Sequence, residues 1–272
     1  MRIIRLDGVV VVGAEGIGLD DPLARSGDGL VETMRARQGQ IAHRAAHLAR
    51  LAASINALGM VGVPDLATIE TELDAALGAL AAAHAKVRLV VSTRSKLWVE
   101  VESIGPLPEQ PGTATAITIP GGWSPGRRIA EHKTSSRAHW NWAERQALSA
   151  GADVALVTDA QGRLGESTKA SVFVVDGDRL FTAPVDGLLP GIGRQVTMEL
   201  HPGVVEHAAW AETWQAADEV FLVSAVRGIT AVTAIDGRLV GDGSVGPLTA
   251  HVAASYRARV AAETAPGVCG RT

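Results

Sequence analysis

Glu131-His132-Lys133-Thr134-Ser135-Ser136-Arg137 places a lysine directly after the least regular part of the chain. Downstream, Gly162-Arg163-Leu164-Gly165-Glu166-Ser167-Thr168 puts a carboxylate just past a Gln161-Gly162 turn. It enters the β-branched run Ser171-Val172-Phe173-Val174-Val175. Leu188-Leu189-Pro190-Gly191-Ile192-Gly193-Arg194 then opens a helix, whose first amides lack partners within the helix and whose positive dipole end suits an anion. Finally, the strand from Ala217 through Val223 ends in the small residues Ser224-Ala225 and the turn Val226-Arg227-Gly228. An amine, an acid and a set of anion donors follow one another in a fixed order.

Around these stretches the periodicity gives mixed α/β structure. Asp7-Gly8 separates two β-branched runs and predicts a hairpin over Met1 to Val12. A strand is expected over Leu30 to Arg35. A helix is expected over Gln40 to Leu58, with Ile41, Ala45, Leu48, Ala52 and Ile55 on one face and Gly59 as its stop. A second helix is expected over Asp65 to Ala85, followed by strands Val87 to Thr93, Leu97 to Ser103 and Thr113 to Ile119. Pro120 to Ala130 reads as a connection, which gives an N-terminal α/β domain over 1–119 and a C-terminal one over 131–272. In the latter, a helix from Ser136 to Ala150 closes on Gly151. Strands follow at Val154–Thr158, Ser171–Val175, Leu180–Thr182, Val220–Ser224 and Thr230–Ile235. Helices start near Ile192, Glu212 and Leu248, and Asp176-Gly177 and Asp236-Gly237 supply tight turns. Short turns between strands imply substantial antiparallel sheet.

Composition narrows the functional classes. With 272 residues and 47% apolar content the chain can bury a sizeable core, and a net charge of −4 offers no attraction to nucleic acid or an anionic membrane. No apolar run reaches the roughly 20 residues of a membrane span. Met1-Arg2-Ile3-Ile4-Arg5 lacks the apolar core of a signal peptide, and Cys269 is the only cysteine, so the expected location is the cytoplasm. Gly13-Ala14-Glu15-Gly16-Ile17-Gly18 has glycines in the wrong order for a dinucleotide loop. His132 and His139 lack acidic or cysteine partners at ligand spacing, so no metal is expected. Trp140 and Trp142 read as core residues of their helix.

The ordered set resembles the class IV (fold type IV) pyridoxal-phosphate family, which contains branched-chain and D-amino acid aminotransferases and aminodeoxychorismate lyases. Gly27-Asp28-Gly29-Leu30-Val31-Glu32-Thr33-Met34-Arg35 is similar to the family's Gly-Asp-Gly-x-Phe-Glu-Thr segment. His47-Leu48-Ala49-Arg50-Leu51-Ala52-Ala53-Ser54 is similar to its His-x-x-Arg-Leu-x-x-Ser helix. Ile235-Asp236-Gly237 and Gly241-Asp242-Gly243 to Gly246-Pro247 also match. The resemblance implies a two-domain fold like that of D-amino acid aminotransferase, a homodimer and pyridoxal 5'-phosphate as cofactor. It makes Lys133 the Schiff-base and catalytic lysine and Glu166 the acid on the pyridine nitrogen. It assigns Arg50, Ile192, Gly193, Ser224 and Ala225 to the phosphate side, Arg137 to the cofactor's surroundings, and Val31, Arg35 and Arg94 to the substrate. Periodicity alone puts Arg50 on the solvent face of its helix, nearly opposite the Leu48/Ile55 stripe. Ser171 stands where the family commonly has Asn, Val31 where it has an aromatic, and Arg137 where transaminases often have Tyr. Lys169, at a strand start, reads as a solvent-facing lysine.

Two reactions fit this site. The strand end Ser224-Ala225-Val226-Arg227-Gly228 and Arg137 resemble the lyases, which make 4-aminobenzoate and pyruvate from 4-amino-4-deoxychorismate. Arg35 and Arg94 could meet that substrate's two carboxylates. The alternative is an aminotransferase of D-amino or branched-chain amino acids.

Overall fold

Asp7 and Gly8 both take positive φ (49° and 86°), so the chain reverses within two residues and Arg2–Leu6 (β1) pairs with Val9–Val10 (β2). The computed structural model describes residues 1–11, 17–94 and 96–265. Val12 of the expected hairpin, the Gly13-to-Gly16 part of the glycine motif and Cys269 lie outside the described residues. The chain divides into two compact units. One contains Met1–Pro106, His132–Arg137 and the segment from Arg259; the other contains Leu107–Glu131 and Ala138–Ala258.

The first unit continues with Pro22–Ser26 (α1), Gly29–Arg37 (β3), Gln40–Ile41 (β4), Arg44–Ala57 (α2), Leu66–Leu80 (α3), His84–Ser92 (β5) and Leu97–Ser103 (β6). Its sheet runs in the order β2-β1-β6-β5-β3-β4, with every pairing antiparallel. Strand alternation sends Leu30, Met34, Val87, Leu89 and Val91 to one side, where Leu48 and Leu51 of α2 and Ile69 and Leu73 of α3 complete the core. Two helix boundaries differ from the sequence expectation. Gln38 and Gly39 (φ 49° and 78°) make a second tight hairpin, so Gln40-Ile41 pairs with β3 and α2 begins only at Arg44. The helix α3 stops at Leu80 because Ala81 turns left-handed (φ 50°), and His84-Ala85 already belongs to β5. The buried face of α2 also differs: His47, Leu48, Leu51 and Ser54 are buried whereas Ala45 is exposed.

The second unit holds Gly112–Ile119 (β7), Ala138–Ser149 (α4), Val154–Thr158 (β8), Leu164–Ser167 (β9), Ser171–Asp176 (β10), Arg179–Thr182 (β11), Ile192–Leu200 (α5) and Val204–Glu206 (β12). After these come Ala211–Gln215 (α6), Glu219–Ser224 (β13), Gly228–Ile235 (β14), Arg238–Leu239 (β15) and the helix Pro247–Glu263 (α7), whose end passes into the first unit. The strand β7 runs parallel to both β14 and β8, with α4 between β7 and β8 in sequence. Because β9 pairs with β10 as well as β8, the strands β10-β13-β14-β7-β8-β9 close into a ring. Val172, Val174, Val220, Leu222 and Val232 fill one face of it; Phe173 and Phe221 stack on the other, with centroids 5.0 Å apart. The Pro- and Gly-rich stretch 120–130 is pinned within this unit. Trp123 is buried with its indole N–H on the Asp186 carbonyl, and the Gly126 amide donates to the Asp186 carboxylate. Trp140 packs against the core as expected, but Trp142 is 49% exposed, because the second aromatic falls on the outer face of α4.

Candidate active site

In the first unit the candidate residues gather around β3. The Val31 amide donates to the Lys133 carbonyl and the Ser135 amide to the Gly29 carbonyl, both at 2.8 Å, around a Leu30–Thr134 bridge. The lysine segment is thus a short extra strand on the edge of β3. The two motif glycines allow this approach. A Cβ on Gly27 (φ 68°) would lie 3.0 Å from the Ser136 Cα, and one on Gly29 only 2.7 Å from the Val91 carbonyl oxygen. Since Leu30 faces the core and pairs with Thr134, the register sets Lys133 opposite Val31. Val90 and Trp98 continue that row across the sheet. Lys133 is half-buried, as is Arg137 a few residues on.

The polar residues of α2 at positions 47, 50 and 54 follow the spacing of a single helix face. His47 Nδ1 lies 2.7 Å from Glu32 Oε2, Arg50 Nε donates to Glu32 Oε1 at 2.9 Å, and Arg50 Nη2 donates to Glu32 Oε2 at 2.6 Å. Ser54 Oγ is 3.0 Å from Nδ1 of His132, the neighbour of Lys133. The Arg50 side chain is only 9% exposed, so the solvated face that periodicity assigned it is not observed; a carboxylate on β3 draws it inward. Burial pushes the Glu32 carboxyl up, but the His47 hydrogen bond and the Arg50 charge outweigh this and hold it at about 2. Burial lowers the His47 pKa against the pull of Glu32, and the positive charges of Arg50 and Lys133 lower it further.

In the second unit, buried Asp159 accepts from the Gln161 and Arg163 amides and from Arg163 Nε, fixing the turn that delivers β9. Glu166 is buried on that strand, in register with Ser171 of β10. The helix α5 starts beside the same strand end. A Cβ on its N-cap Gly191 would come within 2.5 Å of Ser171 Oγ, and one on Gly193 within 2.9 Å of Val223 Cγ2 and 3.4 Å of the Ser224 carbonyl carbon. Gly191 offers no capping side chain, so the first amides of α5, including those of Ile192 and Gly193, are left to other acceptors. Glu166, Ser171, the start of α5 and Ser224-Ala225 therefore converge at one end of the sheet. Arg194 steadies the helix by donating to the Ala183 carbonyl and pairing with Glu206.

Arg35 is buried with Nη1 and Nη2 both donating to the Gly105 carbonyl (3.0 and 3.1 Å), and Arg94 pairs with Asp20 in an exposed turn. Lys169 is 68% exposed and pairs with Glu144. Sequence reasoning gave no role to Glu32, His47, Ser54 or His132, although the 47/50/54 spacing was visible. It also passed over Arg88, which the register sets beside Thr33 and Glu100, one row from Val31 on the same face.

The profile of the family described as amino-transferase class IV matches residues 29–235 of the 272. This chain belongs to the class IV aminotransferase family. Class IV aminotransferases depend on pyridoxal phosphate. It is 26% identical to the D-alanine aminotransferase of Bacillus licheniformis over 93% of this chain and 94% of that one. It is 27% identical to the branched-chain-amino-acid aminotransferase-like protein 2 of Arabidopsis thaliana over 89% of this chain. There it spans 47% of the relative's length, about half. The branched-chain amino acid aminotransferase of Escherichia coli superposes with a TM-score of 0.85 at 20% identity, covering 98% of this chain and 97% of that one, a likeness of fold.

The residues present fit the family's cofactor. The start of α5 is a cradle that a Cβ at Gly191 or Gly193 would fill, with amide donors for a phosphate. Lysine, buried carboxylate and arginine are the donor types that an aldehyde, a pyridine nitrogen and a phosphate require.

Proposed function

We propose that this enzyme is an aminotransferase acting on an amino acid with an apolar side chain, and that Lys133 holds its cofactor covalently. The observation that carries this reading is the row beside the lysine: Val31, Val90 and Trp98 stand in register next to Lys133, the two valines buried and the tryptophan half-buried, so the lysine's face of the sheet is apolar. The near full-length match to a D-alanine aminotransferase supports the same class of substrate.

When bound, pyridoxal phosphate supplies the electron sink that acidifies the substrate carbon bearing nitrogen. The chain's own residues do the rest. Lys133 Nζ, freed when the substrate amine displaces it, would take the proton from that carbon and deliver it to the carbon that had held the lysine, and with the incoming keto acid would run the same transfer in reverse. Glu166 would pair with the pyridine nitrogen and keep it protonated. Arg50 and the amides of Ile192 and Gly193, with Ser224 and Ala225, hold the phosphate. Arg137 borders the cofactor, and Val31 borders the substrate. Arg88 places a cation on the same face for a substrate carboxylate. Arg35 and Arg94 are the substrate-side cations of this proposal, Arg35 donating to the Gly105 carbonyl and Arg94 pairing with Asp20. The chain acts in the cytoplasm as a homodimer in this proposal, which sedimentation would check by a mass about twice its 28.2 kDa.

Aminodeoxychorismate lyase is the second reading. The turn from Ser224 to Gly228 favours it, since the Arg227 amide donates to Ser224 Oγ and leaves the Arg227 side chain exposed at the site's end of β13. One experiment separates the two. Adding D- and L-alanine, -valine and -leucine to the loaded enzyme should bleach its visible absorbance band for at least one of them. Formation of fluorescent 4-aminobenzoate from aminodeoxychorismate, with no bleaching by any amino acid, would establish the lyase instead.

A further inference from the structure

The unexpected feature of the first unit is the number of donors spent on Glu32. Its carboxylate is 1% exposed as a residue and receives three contacts: His47 and Arg50 Nη2 on Oε2, and Arg50 Nε on Oε1. Charge balance alone would need only the arginine. The histidine adds a second grip on the same carboxylate, its Nδ1 2.7 Å from Oε2. It fixes the plane of the carboxylate from one side, while the guanidinium is fixed along its Nε–Nη2 edge from the other. A guanidinium is a rigid planar fork, so gripping one edge sets the direction of the Nη1 edge as well.

We propose that Glu32 is a positioning residue for the cofactor phosphate, and that with His47 it fixes the plane and direction of the Arg50 guanidinium. The proposal rests on the reading that Arg50 meets the phosphate. Arg50 sits on a helix, and its long side chain would otherwise sample many rotamers, each arrest of which costs entropy. Bidentate pairing with Glu32 removes that freedom before the anion arrives. The opposing effect is electrostatic, because the Glu32 charge also repels an anion. The two effects predict opposite outcomes for the same substitution, so the sign is decisive.

The experiment is a binding titration on the 272-residue chain freed of cofactor, using pyridoxal phosphate and pyridoxal in parallel. The ratio of the two dissociation constants reports the phosphate contribution alone. Glu32→Gln should cut that ratio about tenfold or more, the scale of one charge-assisted hydrogen bond, while pyridoxal affinity stays within about twofold. Glu32→Asp keeps the charge but shortens the reach, and should cut the ratio as well. Arg50→Met should lower the ratio at least as far, and adding Glu32→Gln to it should lower it no further. If Arg50→Met lowers the ratio but Glu32→Gln leaves it unchanged or raises it, the positioning role is overturned and the Arg50 reading stands. Equal losses for pyridoxal and pyridoxal phosphate would likewise overturn it, as the mark of general unfolding. An unchanged ratio in Arg50→Met would sink the Arg50 reading itself. Should Glu32→Gln fail to fold, Glu32→Asp decides: a lowered ratio supports the role, and a parent-like ratio removes it.

Discussion

Glu32 and His47 make the fold sensitive to acid in a defined way. A carboxyl whose ordinary value is 4.5 and which lies at about 2 in the fold contributes stability above pH 4.5, and loses it as pH falls toward 2. That contribution is of the order of 3 kcal/mol at neutral pH. His47 is lowered from 6.5, so the unfolded chain takes up its proton first as pH falls. Its contribution is therefore present above 6.5 and declines below it. Denaturant unfolding across this range should show stability falling in both windows. In Glu32→Gln the lower-pH step should flatten and the neutral-pH stability should drop. An unchanged slope below pH 4.5 in that variant would show that Glu32 is not the titrating group. At this scale the sequence displayed the residues without their pairing. Arg50 looked solvated because amphipathic patterning counts only apolar positions, and a buried polar stripe at 47, 50 and 54 is invisible to it. Lys133 and Glu166 were singled out from motif order, which no periodicity contains.

Among the elements, those with strong local signals were read correctly: the Asp7-Gly8 hairpin, β3, β5, β6, β8, β10, β13 and the start of α5 at Ile192. Errors arose where a turn had no Gly or Pro cluster to announce it, or where alanine carried the pattern. Gln38-Gly39 was passed over, and that moved the start of α2 by one turn of helix. The alanines at 81–83 prolong the helical pattern of α3, whereas a left-handed Ala81 ends it. The ring closure through Ser171 and Glu166 is a long-range pairing that no local signal encodes. The Gly-Asp-Gly segment gives a prediction at this scale. Gly29→Ala sets a methyl 2.7 Å from the Val91 carbonyl oxygen, part of a sheet backbone that cannot yield cheaply. It should destabilise the chain by roughly 1–3 kcal/mol and weaken cofactor retention through the shifted lysine segment. Gly203→Ala, with nothing within 4 Å, serves as the control. Matching melting curves for the two variants would show that the close approach at Gly29 is not energetically important.

For the whole molecule, mixed α/β structure with much antiparallel sheet follows from turn chemistry and alternation, and the family from short motifs in a fixed order. Among the described residues no helix is long and apolar enough to cross a membrane. Assigning chemistry to this molecule depends on one lysine. The exposed Lys169, paired with Glu144, is the rival on the chain's second unit, whereas Lys133 is stitched by backbone hydrogen bonds to the strand that carries Val31 and Glu32. Lys133→Ala should abolish both turnover and the visible absorbance band, and Lys169→Ala should leave both intact. The most direct test is to reduce the loaded enzyme with borohydride, digest it and map the lysine that retains the pyridoxyl group. The prediction is label on Lys133 alone; label on Lys169, or on any other lysine, would contradict the account.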